Sequence, residues 1–204
     1  IGLDPDKDLE RVKIVRKALG DEIKLRVDAN QGYDRTTALN VLEQMESIGL
    51  EWIEQPLPDW DLEGHAMLAD HLETPIALDE SVYTVHDAER AIAAGAADVI
   101  NIKVPKCGGI YRSQKIAALC QEKGIACFLG GCLETTPGTA AQAHFYTSTP
   151  NIISAAEMEG PWCYIDDVVK DLMETEKGVI KIPEGPGIGV TIDEEKVNRY
   201  KIDF

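Results

Sequence analysis

The sequence is short of positive charge, because 20 Lys and Arg residues face 36 Asp and Glu residues and the formal net charge is -16. The acidic residues are spread along the chain, and such a surface repels nucleic acid phosphates and anionic lipid. The composition therefore disfavours nucleic acid and membrane partners and favours a small-molecule or metal ligand. An anionic substrate would need a local cation to bind to.

The sequence also lacks the signals of export and of membrane insertion. Its five cysteines form no Cys-x-x-Cys pair and mostly lie in apolar runs, which indicates buried thiols in a reducing cytoplasm and disfavours a disulfide framework. It shows no basic-then-apolar signal pattern and no apolar run long enough to span a bilayer. With 44% hydrophobic residues over 204 positions, the chain can bury one sizeable core.

Short apolar runs alternate with longer amphipathic segments, a pattern typical of repeated βα units around a parallel sheet. Strands are predicted at 24–27, 51–53, 76–78, 99–102, 126–129 and 152–155. Helices are predicted near 6–19, 34–48, 61–71, 85–94, 110–123 and 139–147. Predicted N-caps are Asp34 and Thr84, and glycines that suit a positive φ at helix ends are Gly20, Gly49, Gly95 and Gly124. Residues 1–204 are expected to form one domain, with βα units over 1–160 and a turn-rich tail over 161–204 that wraps the edge.

Polar residues end four successive predicted strands, at Asp28, Glu54, Asp79 and Lys103, each about one βα unit after the last. Hydrophobic pattern alone leaves an open sheet and a closed barrel possible, but the first strand lacks the glycine motif of a dinucleotide site. In a barrel, neighbouring strands bring these four side chains together at the C-terminal rim, where barrel enzymes keep their active sites.

Three converging carboxylates repel one another unless a cation lies among them, and all-oxygen ligation selects a hard ion. Asp28, Glu54 and Asp79 therefore predict a Mg²⁺ site, with Mn²⁺ as the alternative ion. Zinc is disfavoured because no His or Cys lies at these strand ends. Lys103 beside the metal would be held toward its neutral form and is predicted to act as a base. The metal would hold a substrate carboxylate and stabilise the enediolate formed when the α-proton leaves.

Residues next to the predicted ligands are expected to support them. Gln55 and Glu80 each follow a ligand and are predicted to hold it in place instead of binding the metal. Asn30 is predicted either to contact substrate or to take part in an Asx turn.

Acids at later strand ends are predicted to face the substrate. Glu134 and Glu157 are the candidates, and Glu159 joins them only if the chain stays extended there; otherwise it is a loop carboxylate. Of the four histidines, His144 is expected to pack on a helix face. Surface positions on helices are expected for His65, His71 and His86.

These motifs resemble the enolase superfamily, specifically its muconate-lactonizing-enzyme (muconate cycloisomerase) subgroup. The resemblance covers nearly the whole chain, through Val-Asp-Ala-Asn, Ile-Glu-Gln-Pro, Leu-Asp-Glu-Ser, Lys-Val-Pro-Lys-Cys-Gly-Gly, Gly-Gly-Cys-Leu-Glu-Thr and Gly-Pro-Gly-Ile-Gly-Val. It implies a (β/α)8 TIM barrel of which this chain carries strands 3–8. It also implies that the Mg²⁺ ligands are Asp28, Glu54 and Asp79, with Lys103 as the acid/base residue, Lys106 in support and Glu157 at the substrate.

One departure from the subgroup concerns the start of the chain. In the subgroup a Lys-x-Lys pair ends the second strand and is usually followed by Ile-Gly, and here Ile1 and Gly2 are the first residues. The resemblance therefore implies that the pair, the first strands and an N-terminal capping domain are missing. Such a chain is expected to be inactive or weakly active alone, and to form a homo-oligomer or associate with the missing N-terminal part.

The resemblance leaves several reactions of a small carboxylate substrate open. Glu157-Met-Glu-Gly-Pro shares its first Glu and its Gly-Pro with cycloisomerases, and its acidic pair with dipeptide epimerases. Muconate cycloisomerisation is the leading expectation. The alternatives are racemisation or epimerisation of dipeptides or N-acylamino acids, and o-succinylbenzoate synthesis. A competing class is a barrel fragment that binds metal without catalysis.

Overall fold

The computed structural model describes residues 1–202, and helices alternate with strands through most of this range. The helices are α1 (Pro5–Leu19), α2 (Arg35–Met45), α3 (Leu62–His71), α4 (Val85–Ala93), α5 (Ile110–Lys123), α6 (Thr136–Ser148) and α7 (Glu194–Tyr200), with short 3-10 turns at Glu46–Ile48 and Gly160–Trp162. The strands are β1 (Val27–Asp28), β2 (Ile53–Glu54), β3 (Ile76–Leu78), β4 (Val99–Ile102), β5 (Ala126–Leu129), β6 (Thr175–Glu176) and β7 (Val179–Ile180).

Strands β1 to β5 form one sheet in which the strands follow one another in chain order. The pairs β1–β2, β2–β3 and β3–β4 are parallel, with Val27 opposite Ile53 and Ala77 opposite Val99. Parallel strands joined through helices define an α/β fold. The predicted alternation of strands and helices is confirmed over these elements.

Two strands begin later than predicted. Backbone bonds from Glu51 N–H to Leu25 O (2.8 Å) and from Val27 N–H to Trp52 O (3.4 Å) lead into β1 and β2. The regular ladder starts only at Val27 and Ile53.

The strand predicted at 152–155 is reduced to an isolated bridge at Ile152, and the chain bends at Ser154. In the structure the Ser154 carbonyl accepts a hydrogen bond from the Tyr146 hydroxyl (3.1 Å). The chain meets the end of β5 only further on, where Glu157 N–H donates to Leu129 O (2.9 Å). The bend at Ser154 thus interrupts the extended path that a continuous strand over 152–155 would need.

The predicted helix ends are confirmed. The Asp34 side chain accepts from Thr37 N–H, and Thr84 forms a reciprocal capping box with Asp87. The predicted glycines have φ of 75°, 73°, 67° and 74° at Gly20, Gly49, Gly95 and Gly124. Helix α6 starts earlier than predicted because Pro137 fits its first turn.

The contacts of the chain divide it into two compact units. The first comprises residues 1–101 and 118–127, and all five strands of the parallel sheet begin in it. Its core includes Leu42, Met45, Trp52, Ile76 and Leu78. The Arg26 guanidinium lies over the Trp52 ring, 3.9 Å from its centroid.

The second unit comprises residues 102–117 and those from 128 onward. Phe128, Leu129 and Phe145 lie in its core, and β6 pairs with β7 as an antiparallel hairpin. The predicted tail over 161–204 is turn-rich as expected, and its last two residues lie outside the described residues. Its wrapping of an edge, and the single domain over 1–204, stay predictions. None of the helices in residues 1–202 has the length and apolar character that crossing a bilayer requires.

Candidate functional site

Three carboxylates lie at the C-terminal ends of neighbouring strands. Asp28 and Glu54 end β1 and β2 and pair with each other, while Glu54 also pairs with Ala77. Asp79 follows β3 and is two residues beyond Ala77. Paired residues of a parallel sheet share a face, and so do alternate residues along a strand. The register therefore places Asp28, Glu54 and Asp79 on one face of the sheet.

Asn101 belongs to the same face, although sequence reasoning missed it. Val99 pairs with Ala77, so Asn101, two residues on, faces the same way as Glu54. Its Nδ2 donates to Glu54 Oε1 at 2.6 Å, and both side chains are buried. A hydrogen bond to a charged acceptor is strong in such surroundings and fixes the carboxylate. The signal was available, because strand alternation from Lys103 points back to Asn101.

Negative charge is concentrated around Glu80, directly after Asp79. Burial raises the pKa of Glu80, and the nearby charges of Asp79 and Asp28 raise it further. A partly buried carboxylate is repelled by the other carboxylates close to it, and a bound cation would relieve that repulsion.

A hard divalent cation needs several oxygen ligands, and Asp28, Glu54 and Asp79 are the side chains that could provide them. Within residues 1–202, no three His, Cys, Asp or Glu side chains are grouped so as to hold a metal ion. Glu54 instead accepts from Asn101, and Asp28 Oδ1 accepts from Asn30 N–H (2.7 Å). Carboxylate oxygens are nevertheless the ligands that Mg²⁺ prefers. Asp28, Glu54 and Asp79 fit the ion by donor type and shared face, and their oxygens would have to turn toward one another to bind it.

The loops after β1 and β2 have unusual backbone conformations. Asn30 (φ 45°), Gln31 (φ 64°) and Gln55 (φ 36°) are non-glycine residues with positive φ. The Asn30 N–H bond to Asp28 closes an Asx turn, and Gln31 N–H donates to Gln55 O (2.8 Å), which ties the two loops together. Such conformations are costly and cluster at functional sites.

Gln55 contacts the backbone of Asp79. It is fully buried, and its Oε1 accepts from Asp79 N–H at 2.9 Å. His65, predicted at the surface, is also fully buried, and that prediction was wrong. Helix α3 turns Gly64, His65 and Leu68 inward. His71 and His86 are exposed as predicted, and His144 is half-buried.

In the second unit, Lys103 directly follows β4 and is half-buried. Its carbonyl accepts from Cys107 N–H (2.9 Å), which closes a turn that contains Lys106. The side chain of Lys103 therefore projects from a structured strand end, as does that of Asp79 in the first unit.

The later acids of the second unit have different surroundings. Glu134 accepts from Cys132 N–H (2.8 Å) and from the Thr139 hydroxyl (3.3 Å), so it holds its own loop at the start of α6. Glu157 and Glu159 line one groove of about 570 Å³. The chain turns at Glu159, which has helical φ and ψ (-82°, -9°), so the extended path that the sequence required is not continued there.

Comparison with known proteins supports one family. A family model described as enolase C-terminal domain-like matches residues 1–196. An L-Ala-D/L-Glu epimerase of Clostridium acetobutylicum is 39% identical over 93% of this chain and 53% of its own length. Muconate cycloisomerase 1 of Rhodococcus opacus is 37% identical over 97% of this chain and 53% of its own length.

Solved structures agree with this result. The muconate lactonizing enzyme from Pseudomonas putida superposes with a TM-score of 0.93 and 31% identity, over 98% of this chain and 56% of that chain. The parallel α/β fold thus matches the C-terminal barrel domain of these proteins. The chain spans about half the length of the relatives it matches.

Proposed function

Because the chain belongs to the enolase superfamily, we propose that it supplies the Mg²⁺-binding and acid/base residues of a (β/α)8-barrel active site that abstracts the proton α to a carboxylate. Mn²⁺ is the alternative ion. The observation that carries this proposal is the common face of Asp28, Glu54 and Asp79 on three neighbouring parallel strands. When bound, Mg²⁺ supplies a counter-charge for the substrate carboxylate and for the negative charge that develops as the α-proton leaves.

The side chains of this chain would prepare the site for that chemistry. Asn101 holds the Glu54 carboxylate by a 2.6 Å hydrogen bond, and Gln55 holds the backbone of Asp79. Lys103 would take the α-proton on Nζ, for which the amine must be neutral. Glu80 and Lys106 would support the ligands and the lysine without touching the reacting atoms.

The reaction proposed first is a cycloisomerisation of the muconate type. The Rhodococcus opacus relative is named a muconate cycloisomerase, and several other relatives are named chloromuconate cycloisomerases. The substrate carboxylate would bind the Mg²⁺ ion, and the residues proposed as further contacts to the substrate are Asn30, Glu134 and Glu157.

A second candidate is epimerisation of a dipeptide, and one observation favours it. Glu157 and Glu159 line the same groove, and a pair of carboxylates suits a substrate ammonium group. The 39% identical relative is named an L-Ala-D/L-Glu epimerase.

Completion of the barrel is part of the proposal, because this chain spans only about half the length of the relatives that it matches. We propose that the chain associates with a second copy or with the rest of a parent protein. The exposed apolar side chains of the second unit support this, among them Ile165, Leu172 and Val179.

The metal site can be tested by titrating Mg²⁺ into the wild type and into Asp79→Asn by calorimetry. We expect the substitution to weaken Mg²⁺ binding at least about tenfold, because it removes a charged ligand. Asp70→Asn on the exposed part of α3 removes the same charge away from the site and is the matched control. Equal Mg²⁺ affinity for wild type and Asp79→Asn would refute the ligand assignment.

A further inference from the structure

His65 is a buried imidazole that the proposed chemistry does not use. It lies on α3 in the first unit with 0% exposure, and Asp79 is in the same unit. Burial lowers the pKa of His65, which favours the neutral ring.

The hydrogen bonds around His65 define its tautomer. Nδ1 lies 2.8 Å from the Asp61 carbonyl oxygen, which can only accept. Leu57 N–H, which can only donate, lies 3.4 Å from Nε2. The proton is therefore on Nδ1, and Nε2 is an acceptor that points away from the helix.

The Nε2 acceptor meets the amide of Gln55. Gln55 Nε2 lies 3.3 Å from His65 Nε2, 3.0 Å from Leu57 O and 2.8 Å from Ser81 Oγ. The amide nitrogen, which has two hydrogens to donate, thus has three acceptor atoms within 3.3 Å. The amide oxygen accepts from Asp79 N–H at 2.9 Å and from Ser81 N–H at 3.3 Å.

This arrangement permits one orientation of the Gln55 amide. Turned over, its NH₂ group would face the N–H groups of Asp79 and Ser81, and two donors would oppose each other. His65 contributes one of the acceptors at the amide nitrogen, and both side chains are fully buried.

We infer, on the basis of the function proposed above, that His65 is a positioning residue for Asp79. His65 holds the Gln55 amide in the orientation that accepts from Asp79 N–H. Because that bond fixes the backbone of Asp79, it also sets the position from which the Asp79 carboxylate would bind a divalent cation. Outer partners of metal ligands act in this way, by orienting a ligand that they do not replace.

Two substitutions at one position separate this role from simple packing. His65→Gln can place a side-chain oxygen where Nε2 stands, whereas His65→Asn is too short and reaches only the Nδ1 position. His71→Asn on the exposed end of the same helix is the control. Gln55→Met removes the amide itself and serves if the variants at position 65 fold poorly.

Each variant of the full chain is measured in two ways. Calorimetry gives the affinity for Mg²⁺ alone, and NMR without metal gives the amide exchange rates of Asp79 and Ser81. Ile53 N–H, bonded to Pro75 O at 2.9 Å within the sheet, is the reference amide.

We expect His65→Asn and Gln55→Met to weaken Mg²⁺ binding about 10- to 100-fold. In both, Asp79 and Ser81 should exchange faster while Ile53 keeps its rate. His65→Gln and His71→Asn should stay close to wild type in both measurements.

Other results overturn the inference. If His65→Asn and His65→Gln lose Mg²⁺ affinity equally, or Ile53 exchanges faster by the same factor as Asp79, the role of His65 is structural only. If Mg²⁺ binds and no variant changes affinity or exchange, the inference fails while the proposed function stands. If wild type binds no Mg²⁺ but exchange changes as expected, the proposed function fails and the hold of His65 on the Asp79 backbone stands.

Discussion

At the scale of single residues, the Glu54–Asn101 pair shows how the sheet keeps a carboxylate buried. Glu54 is 6% exposed and Asn101 1% exposed, and the amide donates to the carboxylate at 2.6 Å. A short hydrogen bond to a charged acceptor fixes the position of that acceptor. Asn101 therefore holds the buried Glu54 carboxylate in one position at the end of β2.

His65 makes the stability of the fold depend on pH. Its pKa is below the ordinary value of 6.5 because the ring is buried. The unfolded chain therefore binds a proton below pH 6.5 that the folded chain does not, and stability falls as the pH falls through that range. The contribution is at most about 1.4 kcal/mol per pH unit.

Urea unfolding of wild type and His65→Gln between pH 8 and pH 5 measures this term. We expect the advantage of wild type to be constant above pH 7 and to shrink below pH 6.5, since Gln does not titrate. Parallel curves for the two proteins over the whole range would contradict it.

Sequence reasoning at this scale succeeded for some residues and failed for others. Asp28, Glu54 and Asp79 could be placed at strand ends because each follows a short segment that the alternating pattern of the chain predicts as a strand. His65 could not be placed, since a polar residue on an amphipathic helix reads as exposed until its contacts are known. The donors that its Nε2 meets, the Gln55 amide and Leu57 N–H, come from the segment after β2, which no local pattern in the helix reports.

At the scale of elements, residues 1 and 2 lie against the end of β1. The Ile1 nitrogen donates to Asp28 O (2.9 Å), and Gly2 N–H donates to Asp8 Oδ2 (2.8 Å). A Cβ on Gly2 would lie 2.1 Å from Ala29 O, and Gly2 has φ of +92°. This contact holds the backbone that carries Asp28, so α1 and β1 are coupled through a glycine.

Gly2→Ala should destabilise the fold by about 3 kcal/mol, from backbone strain together with overlap against Ala29. Gly49→Ala is the matched control, because Gly49 also has positive φ (+73°) and a Cβ there meets nothing within 4 Å. It should cost only the strain, about 1–2 kcal/mol. Equal shifts of the urea midpoint for the two variants would show that the overlap is relieved without cost.

Element boundaries were predictable where local chemistry decides them. The caps at Asp34 and Thr84 act within one turn of a helix, so sequence was enough. The segment at 152–155 has the composition of a strand, yet the Tyr146 hydroxyl binds a carbonyl there. That contact comes from α6, and the bridge at Ile152 needs a partner outside the segment, so neither could be read from the segment alone.

At the scale of the whole molecule, the chain spans about half the length of the relatives it matches. The proposed proton abstraction is therefore best tested on a protein of the relatives' full length that carries this chain. In D₂O with Mg²⁺, dipeptides, N-acyl amino acids and muconate would be screened for deuterium at the α-carbon by NMR.

We expect exchange with at least one of these substrates, and Lys103→Met should slow it about 10²- to 10⁴-fold because the base is lost. Lys123→Met, at the exposed end of α5, is the control. Exchange that survives Lys103→Met would remove the lysine from the mechanism. Mg²⁺ binding without exchange of any substrate would favour the non-catalytic barrel.

The Arg26–Trp52 pair gives the molecule an internal optical reporter. Trp52 is 1% exposed beneath a guanidinium, whereas Trp60 and Trp162 are 75% and 56% exposed. Iodide in solution can collide with the two exposed indoles but has no path to the buried one. The short-wavelength fluorescence that iodide leaves unquenched therefore comes from Trp52, and its loss during denaturation would time the opening of the sheet separately from events at the surface.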